Sequence, residues 1–97
     1  MMAKAPSKEK AKRRRATFSL EAPNAGEVAV GGDFNNWNAE AHPMTKDKSG
    51  VWKKTVMLPP GSFEYKFLVD EQWRNDPKNK ETCPNCFGTQ NNILVIS

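Results

Sequence analysis

Two tryptophans, Trp37 and Trp73, are the residues whose type and context first suggest chemistry. Both stand in polar, turn-rich stretches, whereas a buried indole normally belongs to an apolar periodic run. One interpretation is that each ring caps the hydrophobic core from a loop. The other is that each ring keeps a face open for stacking, because an aromatic ring with a polar N–H suits a ligand that has both an apolar face and hydrogen-bonding groups.

Lys66 precedes Trp73 on what the sequence predicts to be a rigid strand. Apolar and polar residues alternate through residues 62–69 except at Leu68, a pattern typical of a half-buried strand, which here presents Lys66 outward. Its ammonium can donate to ligand hydroxyls, and a solvated strand lysine is the alternative. Thr89 and Asn91 add short polar groups that are otherwise ordinary turn residues. An indole and such donors fit a glucose ring, whose axial C–H groups form a flat apolar face while its hydroxyls stay free.

The elements that must position these residues are all predicted to be strands. Trp52 alternates with apolar residues in one of them, so we assign it to the core. Long loops at 31–42 and 74–90 connect the strands, and loops of that length usually carry function. No stretch has a helical period, which predicts an all-β antiparallel sandwich. The predicted strands are residues 16–20, 27–30, 43–46, 51–58, 62–69 and 92–96.

The charge of the chain is divided unevenly. Its 97 residues include 15 Lys or Arg and 11 acidic residues, for a net charge of +4, but residues 1–15 hold seven of the basic residues and one acidic residue. We expect residues 1–15 to be a disordered basic arm, either solvated or contacting phosphates or an acidic partner, and residues 16–97 to form one folded domain. The folded part is acidic, which disfavours nucleic acid as its partner. No apolar run is long enough to span a membrane, so we expect a cytoplasmic protein without a membrane partner.

Cys83 and Cys86 form an isolated Cys-x-x-Cys motif. A structural zinc needs four ligands and His42 is the only histidine, so we expect no metal and no cofactor. The motif is interpreted as two reduced thiols, or as a disulfide local to its loop, and His42 as a solvent-facing loop residue. The acidic residues are scattered over turns and strand ends, without the paired carboxylates of glycoside hydrolysis. We therefore predict a binding protein and not an enzyme.

The sequence resembles carbohydrate-binding module family 48, and within it the glycogen-binding domains of AMP-activated protein kinase β subunits. The resemblance covers about residues 16–97 and implies an immunoglobulin-like, early-set β-sandwich. Six blocks in the same order carry it, which is more specific than any one block. They are GDFNNW (32–37), LPPG (58–61), YKFLVD (65–70), QW (72–73), DP (76–77) and GTQNN (88–92).

The resemblance implies non-catalytic binding of α-1,4-linked glucans such as glycogen, starch or maltooligosaccharides. It also implies a glycogen-metabolising enzyme or a kinase as the kind of protein partner. The alternative is a protein-interaction early-set domain whose sugar site is vestigial. Phe87 occupies the position at which the kinase domains have a sugar-contacting leucine. Carried over by position, the site residues are the stacking Trp37 and Trp73, the sugar-contacting Lys66, Phe87, and the hydroxyl-bonding Thr89 and Asn91.

Overall fold

The chain folds into two antiparallel β-sheets, which confirms the predicted all-β sandwich. A computed structural model describes residues 13–97. Two short 3₁₀ turns, Asp33–Asn35 and Ala39–Ala41, lie between the second and third strands. The strands are β1 (Arg14–Glu21), β2 (Val28–Gly32), β3 (Thr45–Lys46), β4 (Val51–Leu58), β5 (Gly61–Val69), β6 (Gln72–Arg74), β7 (Thr82–Pro84) and β8 (Gln90–Ile96).

Strand β5 is the centre of the larger sheet. The smaller sheet has the order β1-β4-β3, and the larger has the order β2-β5-β8-β7, with β6 also paired to β5. One edge of β5 pairs with β2. The other edge pairs with β8 through residues 61–65 and then with β6 through residues 67–69. Strands β2 and β6 therefore flank the last part of β5, and β8 pairs with its first part up to Tyr65, which brings distant parts of the sequence together along this strand.

The inward side chains of both sheets form one core. Phe67 is completely buried on β5, and its neighbour Tyr65 contacts Phe18 of β1 edge to face, with 5.0 Å between ring centroids. Trp52 is buried as predicted, and its Nε1 donates to the Ala22 carbonyl at 2.8 Å. Burying each large apolar side chain contributes about 1.5–3 kcal/mol. The core cluster consists of Ala16, Phe18, Leu20, Val28, Val30, Met44, Trp52, Val56, Leu58, Tyr65, Phe67 and Val69.

Two strands lie where the sequence predicted an irregular loop. Strand β6 pairs with the end of β5, and β7 pairs with the start of β8, so the segment 74–90 is shorter in irregular structure than expected. Each strand has three residues and neither buries a regular apolar face. These residues form strands because they hydrogen-bond to a neighbouring strand, and they show no apolar alternation of their own. The hydrophobic pattern of the sequence therefore did not predict them.

The hairpin between β5 and β6 turns at Asp70 and Glu71. Both have positive φ, 48° and 72°, as a two-residue type I′ hairpin requires. The Asp70 carboxylate accepts from the backbone N–H groups of Gly26 and Glu27 at 3.0 and 2.9 Å. This tie fixes the turn against the start of β2, and the hairpin carries Trp73 back along β5.

Strand β1 begins at Arg14, so it takes in the last two residues of the predicted basic arm. Arg14 and Arg15 pair with Leu58 and Met57 of β4. The Arg14 Nε also donates to the Ser97 carbonyl at 3.0 Å, so the start of β1 meets the end of the chain. Residues 1–12 of the predicted arm lie outside the described residues. Within residues 13–97, no helix is long and apolar enough to cross a membrane.

Candidate functional site

Lys66 lies on the outer face of the larger sheet, as the alternation predicted, but it is not solvated. Only 8% of Lys66 is exposed to solvent, although its side chain points away from the core. Its Nζ donates to the Thr89 Oγ1 at 3.3 Å. Alternation identifies the face of a strand, and the cover on that face comes from residues distant in sequence. The alternative of a solvated strand lysine is therefore wrong, and the Lys66 ammonium is enclosed by the residues that cover this face.

Trp37 is positioned by a left-handed turn that follows β2. Asn36 and Trp37 both have positive φ, 56° and 60°, a conformation that costs a residue with a side chain roughly 1–2 kcal/mol. The Trp37 N–H donates to the Gly32 carbonyl at 2.9 Å, and its Nε1 donates to the Asp33 Oδ1 at 3.2 Å. These bonds hold a strained backbone, which is typical of functional positions.

Trp73 lies on the outer face because β6 pairs it with Leu68, two residues beyond Lys66. It is 44% exposed. A Cβ added to Gly31 would come within 2.8 Å of the Trp73 Cη2, so the indole lies directly over the glycine of β2. The Trp37 and Trp73 rings are 5.9 Å apart at an interplanar angle of 70°. The two indoles therefore form a corner, with Lys66 beside it.

Asn85 organises the loop that carries the next part of the site. Its Oδ1 accepts from the backbone N–H groups of Phe87 and Thr89 at 2.9 and 3.1 Å. Its Nδ2 donates to the Thr89 Oγ1 at 2.8 Å and to the Asn91 Oδ1 at 2.9 Å. Phe87 is left 85% exposed at the rim of the site. One amide thus fixes the positions of two predicted polar residues.

Glu64 completes the polar wall. It lies on the same face of β5 as Lys66, and its Oε1 accepts from the Asn91 Nδ2 at 2.9 Å. Cys83 pairs with Asn91 across β7 and β8. Partial burial, followed by the hydrogen bond and charge of Glu64, raises the pKa of the Cys83 thiol. The thiol therefore stays protonated and is a neutral member of this polar row.

All six residues predicted for the site line one pocket with a volume of about 770 Å³. Sequence reasoning missed three of the lining residues. Period two could have found Glu64, because it lies two residues before Lys66. Asn85 is an Asx-turn residue three positions before a glycine, which is a local signal, whereas the Cys-x-x-Cys motif marks Cys86 but does not point to this pocket. The pocket is lined by Trp37, Glu64, Lys66, Trp73, Asn85, Cys86, Phe87, Thr89 and Asn91.

The pocket combines flat apolar surfaces with polar groups aimed across them. Two indole faces and the Phe87 ring supply the apolar area, and the Lys66 ammonium supplies charged donors. Such a mixture suits a neutral ligand that is apolar on its faces and rich in hydroxyls on its edges.

His42 lies apart from the pocket, and the expectation that it faces solvent is wrong. It is half-buried, its ring meets Phe34 edge to face, and its Nδ1 accepts from the Asn35 Nδ2 at 2.8 Å. Burial, and then the charge of Lys54, lower its pKa. Among residues 13–97, no group of three or more His, Cys, Asp or Glu side chains is placed to hold a metal ion.

The chain is similar to known proteins over the segment that forms this site. The family described as the glycogen recognition site of AMP-activated protein kinase matches residues 16–97. Protein PTST homolog 2, chloroplastic, of Arabidopsis thaliana is 39% identical over 82 residues, which is 84% of this chain and 15% of that protein. The 5'-AMP-activated protein kinase subunit beta-1 of Sus scrofa is 39% identical over 70 residues, or 72% of this chain and 54% of that protein.

A third relative is the 1,4-alpha-glucan-branching enzyme of Emericella nidulans, which is 57% identical over 43 residues, or 44% of this chain and 6% of the enzyme. The chain thus spans a small share of the plant and fungal relatives and about half of the pig protein. The family match, in contrast, runs from the third residue of β1 past the end of β8 and takes in every residue of the pocket. The chain therefore belongs to the glycogen-recognition family of carbohydrate-binding modules.

Proposed function

We propose that this domain binds α-1,4-linked glucan without catalysing a reaction, and that Trp37 and Trp73 are its stacking surfaces. The observation that carries the proposal is the corner of the two indoles beside Lys66. Their ring centroids are 5.9 Å apart at 70°. A curved ligand can lay the apolar faces of successive rings on the two indoles, whereas a flat aromatic ligand would meet only one.

The polar groups give the site its orientation. Lys66, Thr89 and Asn91 lie along one wall and reach the hydroxyl edge of a sugar stacked on the indoles. They are already linked through Asn85, so little side-chain freedom is lost when a ligand binds. A hydrogen bond from a charged donor contributes about 1.5–3 kcal/mol, and the neutral ones contribute less.

The acidic residues support a binding function. Glu64 is the single carboxylate that lines the pocket within residues 13–97, and it accepts from Asn91. Hydrolysis of a glycosidic bond requires a second carboxylate across the sugar, at roughly 5–10 Å. The pocket thus has the composition of a recognition site.

Titration with maltoheptaose, followed by tryptophan fluorescence and calorimetry, tests the proposal. Trp37→Ala and Trp73→Ala should each weaken binding severely while the melting temperature stays close to that of the parent. Lys66→Ala should weaken binding by roughly 1–2 kcal/mol. Lys53→Ala, an exposed lysine on the smaller sheet, is the matched control and should bind as the parent does. Parent-like affinity in both tryptophan variants would refute the proposed site.

A protein partner and a compartment are further parts of the proposal. Relatives are named as a kinase subunit and as glucan-branching enzymes, so we propose a kinase or a glycogen-metabolising enzyme as the partner class. We propose a cytoplasmic location, and a plastid is the competing compartment because two relatives are named chloroplastic. Fractionation of cells that produce the full-length protein decides between them. Capture of a partner by both Trp37→Ala and parent protein, without sugar binding by either, would favour a protein-interaction domain.

A further inference from the structure

A second cavity adjoins the site on the other side of Trp73. It has a volume of about 750 Å³ and lies between the turn at residues 21–25 and the segment 73–77. Of the residues that the structure describes, Trp73 alone lines both cavities. The same indole therefore faces the pocket described above and the beginning of this groove.

The turn that forms one wall of the groove is fixed from three directions. The Ala22 carbonyl accepts from the Trp52 Nε1 at 2.8 Å, and the Ala22 N–H donates to the Gly50 carbonyl at 3.1 Å. At the far end of the turn, the Asp70 carboxylate holds the N–H of Gly26 at 3.0 Å. The wall is therefore tied to the core and to the β5–β6 hairpin.

The opposite wall is fixed by a buried asparagine. Asn92 is completely buried, and its Oδ1 accepts from the Asn75 Nδ2 at 3.1 Å and from the Asp76 N–H at 2.7 Å. Asn75 also donates to the Gln90 carbonyl at 2.8 Å. Because both walls are held by hydrogen bonds to the sandwich, the groove is preformed, and a ligand pays little to order it.

The lining of the groove suits a neutral polyhydroxylated chain. Leu20, Pro23 and Pro77 supply apolar surface, while the exposed Asn24 and Arg74 supply polar groups at the opening. The one side-chain partner of Arg74 among the described residues is Gln72, at 3.3 Å. Two carboxylates and one guanidinium line the cavity, a balance that does not favour an anionic ligand.

We propose that this groove binds further glucose units of the glucan chain that stacks on Trp73. This inference rests on the proposed function, and it extends that function to chain length. The bound chain passes from the indole corner over Trp73 and around the β6 edge, with Asn24 and Arg74 contacting hydroxyls. The domain then prefers long linear chains over short ones.

The test compares maltotriose with maltoheptaose by calorimetry on the parent and on Asn24→Trp and Arg74→Ala. Maltoheptaose should bind the parent more tightly than maltotriose. Asn24→Trp fills the groove from an exposed position, and Arg74→Ala removes its charged donor. Each should weaken maltoheptaose binding by about tenfold, the loss expected from one or two hydrogen bonds and their surrounding contacts, and leave maltotriose binding unchanged.

Each outcome bears on a specific claim. Parent-like affinity for maltoheptaose in both variants, or an equal loss of affinity for both sugars, would refute the proposal that the groove binds further glucose units. Failure of both sugars to bind the parent would overturn the proposed function itself. Lys53→Ala is the control for surface charge and should leave both affinities unchanged. Melting curves establish folding, and if Asn24→Trp does not fold, the exposed Arg74→Ala decides the question.

Discussion

Gly31 and Gly32 are adjacent on β2 and face opposite sides of the sheet, so they separate binding from folding. Gly31 pairs with Lys66 and lies under the Trp73 indole. A Cβ at Gly31 would stand 2.8 Å from the Trp73 Cη2, about 0.6 Å inside the 3.4 Å at which ordinary contact begins. The atom in the way is the far end of a partly exposed side chain, so the ring can move and the strand need not.

The expected effect of Gly31→Ala follows from that geometry. Displacing the Trp73 ring breaks its edge-to-face arrangement with Trp37, which is worth about 0.5–1.5 kcal/mol, and misaligns the stacking surface. We expect glucan affinity to fall about fivefold or more, the equivalent of about 1 kcal/mol. The free energy of unfolding should change little. Alanine also restricts the unfolded chain, which stabilises the folded state by about 0.4–1 kcal/mol and offsets the contact.

Gly32→Ala is the matched control. A Cβ there would clash with the Glu64 carbonyl oxygen and stand 3.0 Å from the Tyr65 Cβ, and the oxygen belongs to the backbone of the central strand. This variant should lose about 1–3 kcal/mol of unfolding free energy. The assay is a pair of urea unfolding curves and maltoheptaose titrations. Parent-like sugar affinity in Gly31→Ala, or destabilisation equal to that of Gly32→Ala, would refute the reasoning.

The remaining predictions concern the core, the loop, the cysteines and pH. Trp52→Ala should cost about 3–5 kcal/mol in urea unfolding, because it leaves a cavity and an unpaired carbonyl; a smaller loss would mean that the ring is not core. Asn85→Ala should weaken maltoheptaose binding by at least threefold (about 0.7 kcal/mol) and lower the melting temperature modestly, since it removes four hydrogen bonds; unchanged titrations would contradict its organising role. Iodoacetamide should modify the exposed Cys86 before Cys83, whose raised pKa leaves less thiolate, as peptide mass mapping can check. Folding lowers the pKa of His42 from 6.5, so near and below that pH the unfolded state binds more protons than the folded state. The free energy of unfolding should therefore decrease as the pH is lowered from about 7.5 to about 5.5, and it should decrease less in His42→Gln, as urea unfolding curves across this range can check.

Much of the fold could be predicted from alternation. Strand β4 has the predicted bounds, and β5 differs from its prediction by one residue, because both bury one face against the core. Strands β6 and β7 were not predicted, because they are strands by their pairing with β5 and β8 and do not bury an alternating apolar face. The burial of Lys66 was not predicted for a related reason, since loops that are distant in sequence build its cover. Alternation in the sequence therefore predicted which side chains lie on each face of a sheet, but it did not predict the loops that cover those faces.

The site could be predicted only in part from its residues. Without the resemblance, the polar context of Trp37 and Trp73 allowed two interpretations, that the rings cap the core or that they stack on a ligand. Their angle depends on left-handed backbone at Trp37 and on the glycine beneath Trp73, and neither feature can be read from hydrophobic period. Asn85 and Glu64 carried signals of turn chemistry and of strand face, but only the folded loop shows that they join one hydrogen-bonded wall.

The contact between Arg14 and Ser97 has a consequence for how the domain is attached to other sequence. The Arg14 Nε lies 3.0 Å from the Ser97 carbonyl, so both ends of the sandwich leave from one corner. Asn91 of the pocket is six residues from Ser97, or about 20 Å along an extended strand. Sequence attached at that corner would lie about one strand length from Asn91, and so from a glucan bound as proposed. We expect the same corner to tolerate insertion into a larger protein, or a circular permutation that joins the two ends, without disturbing the indole corner.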